Sequence, residues 1–531
     1  MLEYSWLVLL PPILVVLAAY LTRNVTLSFV IGIITSLLIA TDFSVASAFY
    51  LSLKRLSFSI GLQKIGSWQE LWGNWNLFIF LFLIILGIII TLLRKTGASD
   101  FFARLLCNYV KNKEDAQKAS LLLSFVFFID DYFSVLTAGS VMRPIARLYG
   151  LNPVKLAFLI TAVATPITIL SPISSWLGEI VLQLKLVGIG PDSAIEADPY
   201  SVFLKTIPFV LYAIFMIIGA WYIVYRKISF GPMAQYDAVV KTEKVDAIIC
   251  EDTSSRLSDF LFPILTLLIT ILIGFLYTGD FIGCGGTRGF FDAIKNTVVH
   301  QALFIGGSIT LIASFIYFLM RKKISYSGIL VTIKEGFWLM WPSIIMLICA
   351  WTFGTILRED LHTGHYIASL FCLFINVTFL PVLCFLFSSL LSAMIGSSWA
   401  TMGIMLPLAI PMLQTLMQLP FGVAADSIPL LFPVIGATLS GAIMGTNISL
   451  ISDNPIMTCA STGANHYEHI KTMSWYVMPV TLATAVAYIL LGICIDWLSL
   501  SQLFLVVIIA GTVSMLLIFE LLQRYYNRFL P

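Results

Sequence analysis

Apolar runs with the length of a membrane span recur along the whole chain, and two long regions break the pattern with polar residues. The uninterrupted runs lie at 6–20, 27–39, 78–93, 202–224, 260–277, 302–320, 339–357, 477–495 and 503–521. Each predicts a crossing helix, because about 20 residues rising 1.5 Å apiece cover a hydrocarbon core ~30 Å thick. Regions 119–187 and 377–462 are also apolar, yet they carry Asp, Ser, Asn, Gly and Pro. Lipid offers such groups no partners, so at membrane depth they belong where helices break or a cavity opens.

The first polar region divides in two. Residues 119–129 are 11 residues, ~16 Å of helix, ending at Asp130-Asp131. Half a membrane thickness fits one arm of a re-entrant hairpin, which returns through 133–142 and surfaces at Arg143 and Arg147, leaving the aspartates near mid-membrane. Residues 156–186 are 31 residues, ~46 Å if continuous, with Ser171-Pro172-Ile173-Ser174-Ser175 in the middle. A helix unwound at that break accounts for the excess length.

Stretches of the second half match the first in the same order. Thr91-Leu-Leu-Arg94 matches Thr355-Ile-Leu-Arg358, Met142-Arg-Pro144 matches Met405-Leu-Pro407, and Thr165 to Ser171 matches Thr446 to Ser452, at offsets of 264, 263 and 281. Each half then holds five crossings and one hairpin, and an odd number of crossings turns the second half upside down. The second hairpin turns near Gly396-Ser397-Ser398. The expected fold is an all-α polytopic membrane protein with about 11 crossing helices plus two re-entrant hairpins, an inverted-topology repeat with two discontinuous helices. In linear terms, 1–225 is the first transmembrane repeat, 226–258 a cytoplasmic linker, 259–474 the second repeat, and 475–531 additional C-terminal transmembrane helices.

Basic residues orient this scheme. Six fall between Arg94 and Lys118, and Arg143, Arg147, Lys155, Arg226-Lys227, Arg321-Lys322-Lys323, Arg524 and Arg528 share their side, which is therefore cytoplasmic. The N-terminus is expected outside and the C-terminus inside, in a multi-pass protein of the cell membrane. Arg358 is discordant, and the repeat explains it as the inverted counterpart of Arg94.

Composition narrows the class. Of 531 residues, 59% are hydrophobic and 11% charged, too little polar surface for a soluble chain of this length. A net charge of +2, scattered beside apolar runs, excludes a nucleic-acid partner. The eight cysteines lack metal-binding spacing, and the first span lacks a basic region and cleavage site, so it is expected to be retained. Gly283-Cys-Gly-Gly-Thr-Arg-Gly289 lacks the GK[ST] ending of a phosphate loop.

With these features on view, the chain resembles the NhaC-type Na+/H+ antiporters of the wider ion-transporter superfamily. The likeness runs through Phe128-Ile-Asp-Asp-Tyr132, Gly139-Ser-Val-Met-Arg-Pro144, Pro172-Ile-Ser-Ser-Trp176, Ala350-Trp-Thr-Phe-Gly354, Gly396-Ser-Ser-Trp399, Gly403-Ile-Met-Leu-Pro407, Ile451-Ser-Asp453 and His466-Tyr-Glu-His469. It implies a sodium-coupled carrier that binds its ions at hairpin tips and helix breaks, with no cofactor beyond the transported Na+ and H+. Sodium ion, proton and lipid bilayer are the implied partners, and a homodimer stays open. The chain departs from the family at Ser134, where Asn is common, and at Asn454-Pro455, where Thr-Thr is common; both bear on ligation and selectivity.

Asp130, Asp131 and Asp453 are carboxylates at bilayer depth, where a charge persists when it is paired, solvated or exchanging protons and cations. Two adjacent acids repel, which sets proton and sodium in competition for the same oxygens. Sodium is accordingly placed at Asp131 and Asp453. The simpler alternative is that one of the pair only caps the helical arm that follows. Ser171, Ser174 and Ser175 at the first break, Thr446, Asn447, Ser449, Ser452 and Asn454 at the second, and Ser397 and Ser398 at the second hairpin offer neutral oxygens that suit a hard cation. They equally suit the plainer task of satisfying freed backbone groups.

Glu179, one turn past the first break, can pair, relay protons or face an outer vestibule. Trp176 and Trp399 read as wall packing. His466 and His469, three residues apart, lack a third metal ligand and fall in an expected cytoplasmic loop. The leading function is Na+/H+ exchange by alternating access. The runner-up is sodium-driven carriage of a small organic anion or amino acid, favoured if Arg143 faces the cavity. An intramembrane aspartyl protease is disfavoured by the absent GxGD sequence and the inverted hairpins, so no enzyme activity is expected.

Overall fold

The computed structural model describes residues 6–22, 25–62, 72, 74–98, 101, 109–128, 130–172, 174–191, 193–238, 256–290, 293, 297–363, 366, 376–450 and 452–529. Helices α1 (Leu10–Thr22) and α2 (Val25–Ala40) open the first half. Next comes α3 (Val45–Ile60), an unexpected helix whose Lys54 is exposed. Helix α4 (Trp75–Lys95) starts at Asn74, whose side chain accepts the Leu77 N–H at 3.2 Å. α5 (Lys113–Val126) starts at Asn112, ahead of the expected residue 119, because Glu114 and Asp115 favour the positive end of a helix. The hairpin returns as α6 (Asp131–Leu148), followed by α7 (Pro153–Leu170) and α8 (Ser175–Leu186). Two short strands, β1 (Ile189–Gly190) and β2 (Ile195–Glu196), precede α9 (Pro199–Thr206), α10 (Leu211–Arg226) and α11 (Pro232–Ala238). α9 and α10 are not one straight span: the axis bends by 44° where Pro208 interrupts the helix.

The second half repeats the order. It runs α12 (Leu257–Thr278), α13 (Val299–Met320), α14 (Tyr326–Glu359), the hairpin α15 (Leu380–Ile395) and α16 (Ser398–Leu416), strand β3 (Val423–Ala424), the broken pair α17 (Leu431–Ile448) and α18 (Asp453–Thr462), then α19 (His466–Cys494) and α20 (Leu500–Phe529). The strands form a parallel sheet, β1 beside β2 with Ile189 opposite Ile195, and β2 beside β3 with Ile195 opposite Val423. Among the described residues, nine helices are long and apolar enough to cross a membrane, or ten with the bent α9/α10 pair. Both arms of the second hairpin meet that criterion, whereas α1 and α2, at 13 and 16 residues, are short of it.

Contacts divide the chain into two compact units, one of Met1–Ser52, Val110–Val245 and Cys349–Pro531, the other of Leu53–Tyr109 and Asp246–Ile348. In the second unit the buried Asp259 joins α12 to α13, accepting from Tyr317 Oη at 2.7 Å and Arg321 Nε at 3.2 Å. In the first unit α17 lies directly on α15. Gly441 and Gly445, one turn apart, sit so close to the Phe385 and Ser389 carbonyls that a methyl on either would collide with them. Lipid supplies no hydrophobic drive between helices, so such backbone approach is what packs them. Beside α5 and α7, Asp237 of α11 accepts from Lys155 at 2.7 Å and Lys113 at 3.4 Å, and Asn152 donates to the Tyr236 carbonyl at 3.0 Å. Burial pushes the Asp237 carboxyl up, but the two ammonium groups and the Ser229 hydroxyl outweigh it and hold the acid below its ordinary range.

The two broken helices share a register that corrects the sequence match. α7 and α17 are each 18 residues long and end on a serine in extended conformation: Ser171 at φ −79°, ψ 126°, and Ser449 at φ −81°, ψ 130°. Each serine N–H returns to the carbonyl three residues back, Thr168 and Thr446. Thr446 therefore corresponds to Thr168 and not Thr165, and Asp453 corresponds to Ser175 and not Pro172. Hydroxyl residues at 165, 168, 171 and 174 recur every third position, so letters alone fit two registers, and the caps decide between them.

Candidate ion-binding site

The starts of four helices of the first unit meet, joined by Asp131, Trp176, Asn454 and Trp399, and each is preceded by a residue with a short side-chain oxygen. Asp130 caps α6, with its carboxylate accepting the Phe133 N–H at 2.7 Å; Ser397 caps α16, with its hydroxyl accepting the Ala400 N–H at 3.3 Å. Ser174 and Ser452 stand before α8 and α18. The plainer reading thus describes Asp130, which is bound to its own helix. The next position in each case is the first helical residue: Asp131, Ser175, Ser398 and Asp453. Helix starts present N–H groups and positive dipole ends, the backbone device by which transporters hold charge in a bilayer, and α8 and α18, at 12 and 10 residues, are about half the length of a span.

Asp131 is where these starts meet. Its Oδ1 accepts from the indole Nε1 of Trp176, second residue of α8, at 3.2 Å, and its Oδ2 accepts from Nδ2 of Asn454, second residue of α18, at 3.0 Å. The same Asn454 amide donates to Thr165 Oγ1 of α7 at 2.6 Å. Trp176 in turn packs against Trp399, second residue of α16, with ring centroids 5.8 Å apart. Trp176 is therefore more than a wall: it is a donor to the acid and a bridge to the second hairpin. Asp131 is 3% exposed and Asn454 6% exposed, so water does not dominate this cluster.

The remaining candidates are buried but distributed. Ser398 Oγ lies 3.0 Å from Thr446 Oγ1 and donates to the Ala442 carbonyl at 3.1 Å, fixing the second hairpin to α17. Ser174 Oγ reaches the Ser171 carbonyl at 3.5 Å across the break, and Ser175 and Ser397 are buried at their helix starts. Ser452 is fully buried, and its hydroxyl has no hydrogen-bond partner among the described residues. Asn447 stands apart from Asp131, donating to Tyr212 Oη of α10 at 3.0 Å. The backbone of Asp453 begins α18; its side chain and Ile129, Ile173 and Ile451 lie outside what the structure describes. Glu179 is fully buried and accepts from Gln183 Nε2 at 2.9 Å and from Trp351 Nε1 at 2.9 and 2.7 Å.

The histidines are not in a loop. His466 and His469 lie in the first turns of α19, with His466 Nε2 2.8 Å from the Leu450 carbonyl and His469 Nε2 3.3 Å from Thr161 Oγ1, so they face different partners. Polar side chains hold the N-terminal turns in place: Asn465 accepts the Glu468 N–H at 3.1 Å. Thr165, Trp351 and Gln183 were not among the candidates. Gln183 is detectable from its four-residue spacing to Glu179 on one helix. Trp351 reaches Glu179 from a distant element, and its signal in the sequence is the family-like stretch Ala350-Trp-Thr-Phe-Gly354, which does not name its partner.

Comparison with known proteins gives consistent matches. The model of the Na+/H+ antiporter family matches residues 167–493. An uncharacterized protein of Haemophilus influenzae is 30% identical over 488 residues, covering 91% of this chain and 90% of its own. A second protein of that organism, an uncharacterized Na(+)/H(+) antiporter, is 24% identical over 194 residues, 35% of this chain and 37% of its own. Among solved structures, the Alcanivorax borkumensis YdaH transporter, described as having an unusual topology, aligns at a TM-score of 0.51 and 15% identity over 86% of this chain and 90% of that one. Neisseria gonorrhoeae MtrF, described as illuminating a class of antimetabolite efflux pumps, aligns at 0.51 and 14% identity over 87% and 85%. At these identities the structural likeness concerns the fold alone.

Proposed function

From the premise that the chain belongs to the Na+/H+ antiporter family, we propose that it exchanges sodium for protons by alternating access at the Asp131 cluster. The observation that carries this reading is the buried Asp131 carboxylate, which accepts from an indole and a carboxamide at two different half-helix starts. These donors fix where the carboxylate oxygens point, and a carboxylate buried at membrane depth exchanges a cation or a proton at modest cost only where its oxygens are so placed. Sodium would take oxygens from Asp131, the Asn454 carboxamide and Thr165, with Asp453 adding charge from the residue beside Asn454. A proton on Asp131 would neutralise the same oxygens and release the sodium. Since the carboxylate binds one or the other, each return through the membrane carries an alternate ion, which couples the two fluxes.

The distribution of basic residues supports an outward N-terminus and a cytoplasmic C-terminus. The deciding experiment uses the purified full chain in vesicles with an imposed pH gradient and no organic solute. Addition of Na+ should dissipate the gradient. Folded protein that gives no Na+-evoked proton movement would contradict the reading, and flux that starts only when a small organic anion or amino acid is added would transfer it to solute carriage.

A further inference from the structure

We infer that Glu179 is a second proton-carrying site, distinct from Asp131, which adds one proton per sodium to the exchange. The inference rests on the Na+/H+ reading above and specifies its stoichiometry. Glu179 has no exposed surface, and its carboxyl oxygens receive three N–H contacts from two neutral side chains, Trp351 and Gln183. Among the described residues no Lys, Arg or His pairs with it. An ionised carboxylate is thus placed and solvated by dipoles but not neutralised, in a segment where an uncompensated charge is costly. A proton on Oε2 removes the charge and leaves Gln183 donating to Oε1, so both protonation states fit the same cage.

The position of Glu179 links it to the first site. Trp176 and Glu179 are three residues apart on α8 and share a face of that helix. Trp176 supplies the indole that Asp131 accepts, and Glu179 itself accepts the indole of Trp351 on α14. The two acids are therefore held by the same pattern, one tryptophan N–H each, through one 12-residue helix. A displacement of α8 that alters the Asp131 cluster must also alter the Glu179 cage. In the proton-loaded leg Glu179 carries H+ and gives it to water on the far side; in the sodium-loaded leg it returns ionised, stabilised by its three N–H contacts. Each cycle then moves one proton more than the exchange at Asp131 moves, and one more elementary charge.

The test measures the proton-to-sodium ratio from the gradients at which flux reverses, in vesicles containing wild type or Glu179→Gln. The account expects the wild-type ratio to exceed that of E179Q by one, with the E179Q exchange losing the corresponding response to membrane potential. An unchanged ratio in E179Q would overturn the inference while leaving Na+/H+ exchange intact; absence of Na+-evoked proton movement in wild type would overturn both. If E179Q folds but does not transport, pH-difference infrared spectroscopy of the purified proteins decides the matter without flux. Wild type should show a protonated-carboxyl C=O band that E179Q lacks and that Trp351→Phe displaces along the pH axis. Identical carboxyl bands in wild type and E179Q would show that Glu179 does not titrate.

Discussion

At the first hairpin the residue that opens the returning helix is Asp131; at the second it is Ser398. At the two breaks the order is reversed, Ser175 in the first half and Asp453 in the second. The residues one position earlier show no such alternation, being Asp130, Ser174, Ser397 and Ser452. The difference teaches which constraint acts where. Asp130 and Ser397 put a side-chain oxygen on the free N–H groups of the two returning hairpin helices, whereas Ser174 and Ser452 make no side-chain cap bond, so the cap chemistry is common to the hairpins and not to the breaks. The first helical residue has no such duty, and there the halves diverged until each supplied one acid. In the proposed exchange, charge is drawn once from a hairpin and once from a break.

The comparison can be broken most sharply by giving the first hairpin the residue of the second. Asp131→Ser should reduce Na+-evoked proton flux to the level of empty vesicles, with the protein still monodisperse on gel filtration. Asp453→Ser makes the second break like the first. Loss of one of two acids should weaken apparent Na+ affinity by about 10–100-fold, or ~1.4–2.8 kcal/mol, read from the Na+ dependence of flux. Trp176→Phe keeps the ring against Trp399 but deletes the donor to Asp131. One hydrogen bond to a charged group is worth about 1.5 kcal/mol, so roughly a tenfold rise in half-saturating Na+ is expected.

Away from the site, Asp237→Asn should lower thermal stability by ~1–3 kcal/mol at neutral pH, because it leaves the nearly buried Lys155 without its partner. The folded Asp237 holds its proton less tightly than an unfolded aspartate, so its contribution is complete above the ordinary carboxylate range and lost as pH falls through the folded value. Melting curves of wild type and variant should converge toward the acid end of that window; a gap that persists there, unchanged, would argue against the ion pair. The smallest effect is expected from Asp130→Ser, which installs the cap that the second hairpin already uses. Stability should fall by under ~1 kcal/mol in chemical denaturation, with flux within about twofold of wild type.

Much of this architecture was legible from hydrophobic pattern. Apolar runs mark spans because lipid forbids anything else, and the same rule makes the Asp and Ser interruptions conspicuous. Three features escaped for physical reasons. Helix α3 and the opening turns of α14 and α19 mix charged residues such as Lys54, Lys334 and His466 into helices whose partners are surface or tertiary ones, so no continuous apolar run announces them. The three-residue recurrence of hydroxyls around 165–174 left the repeat ambiguous by one step, and backbone caps were needed to fix it. The distinction between Asp130 and Asp131 is invisible in two adjacent identical letters, and it arises only when the chain turns so that one oxygen pair faces Phe133 N–H and the other faces α8 and α18.

That distinction supplies the most direct test of the central claim. Na+-evoked dissipation of a pH gradient would be measured side by side for vesicles holding Asp130→Ser and Asp131→Ser at equal protein content. The account predicts near-wild-type flux from the first and none from the second; equal activity in the two, or loss confined to Asp130→Ser, would contradict the assignment of ion exchange to Asp131.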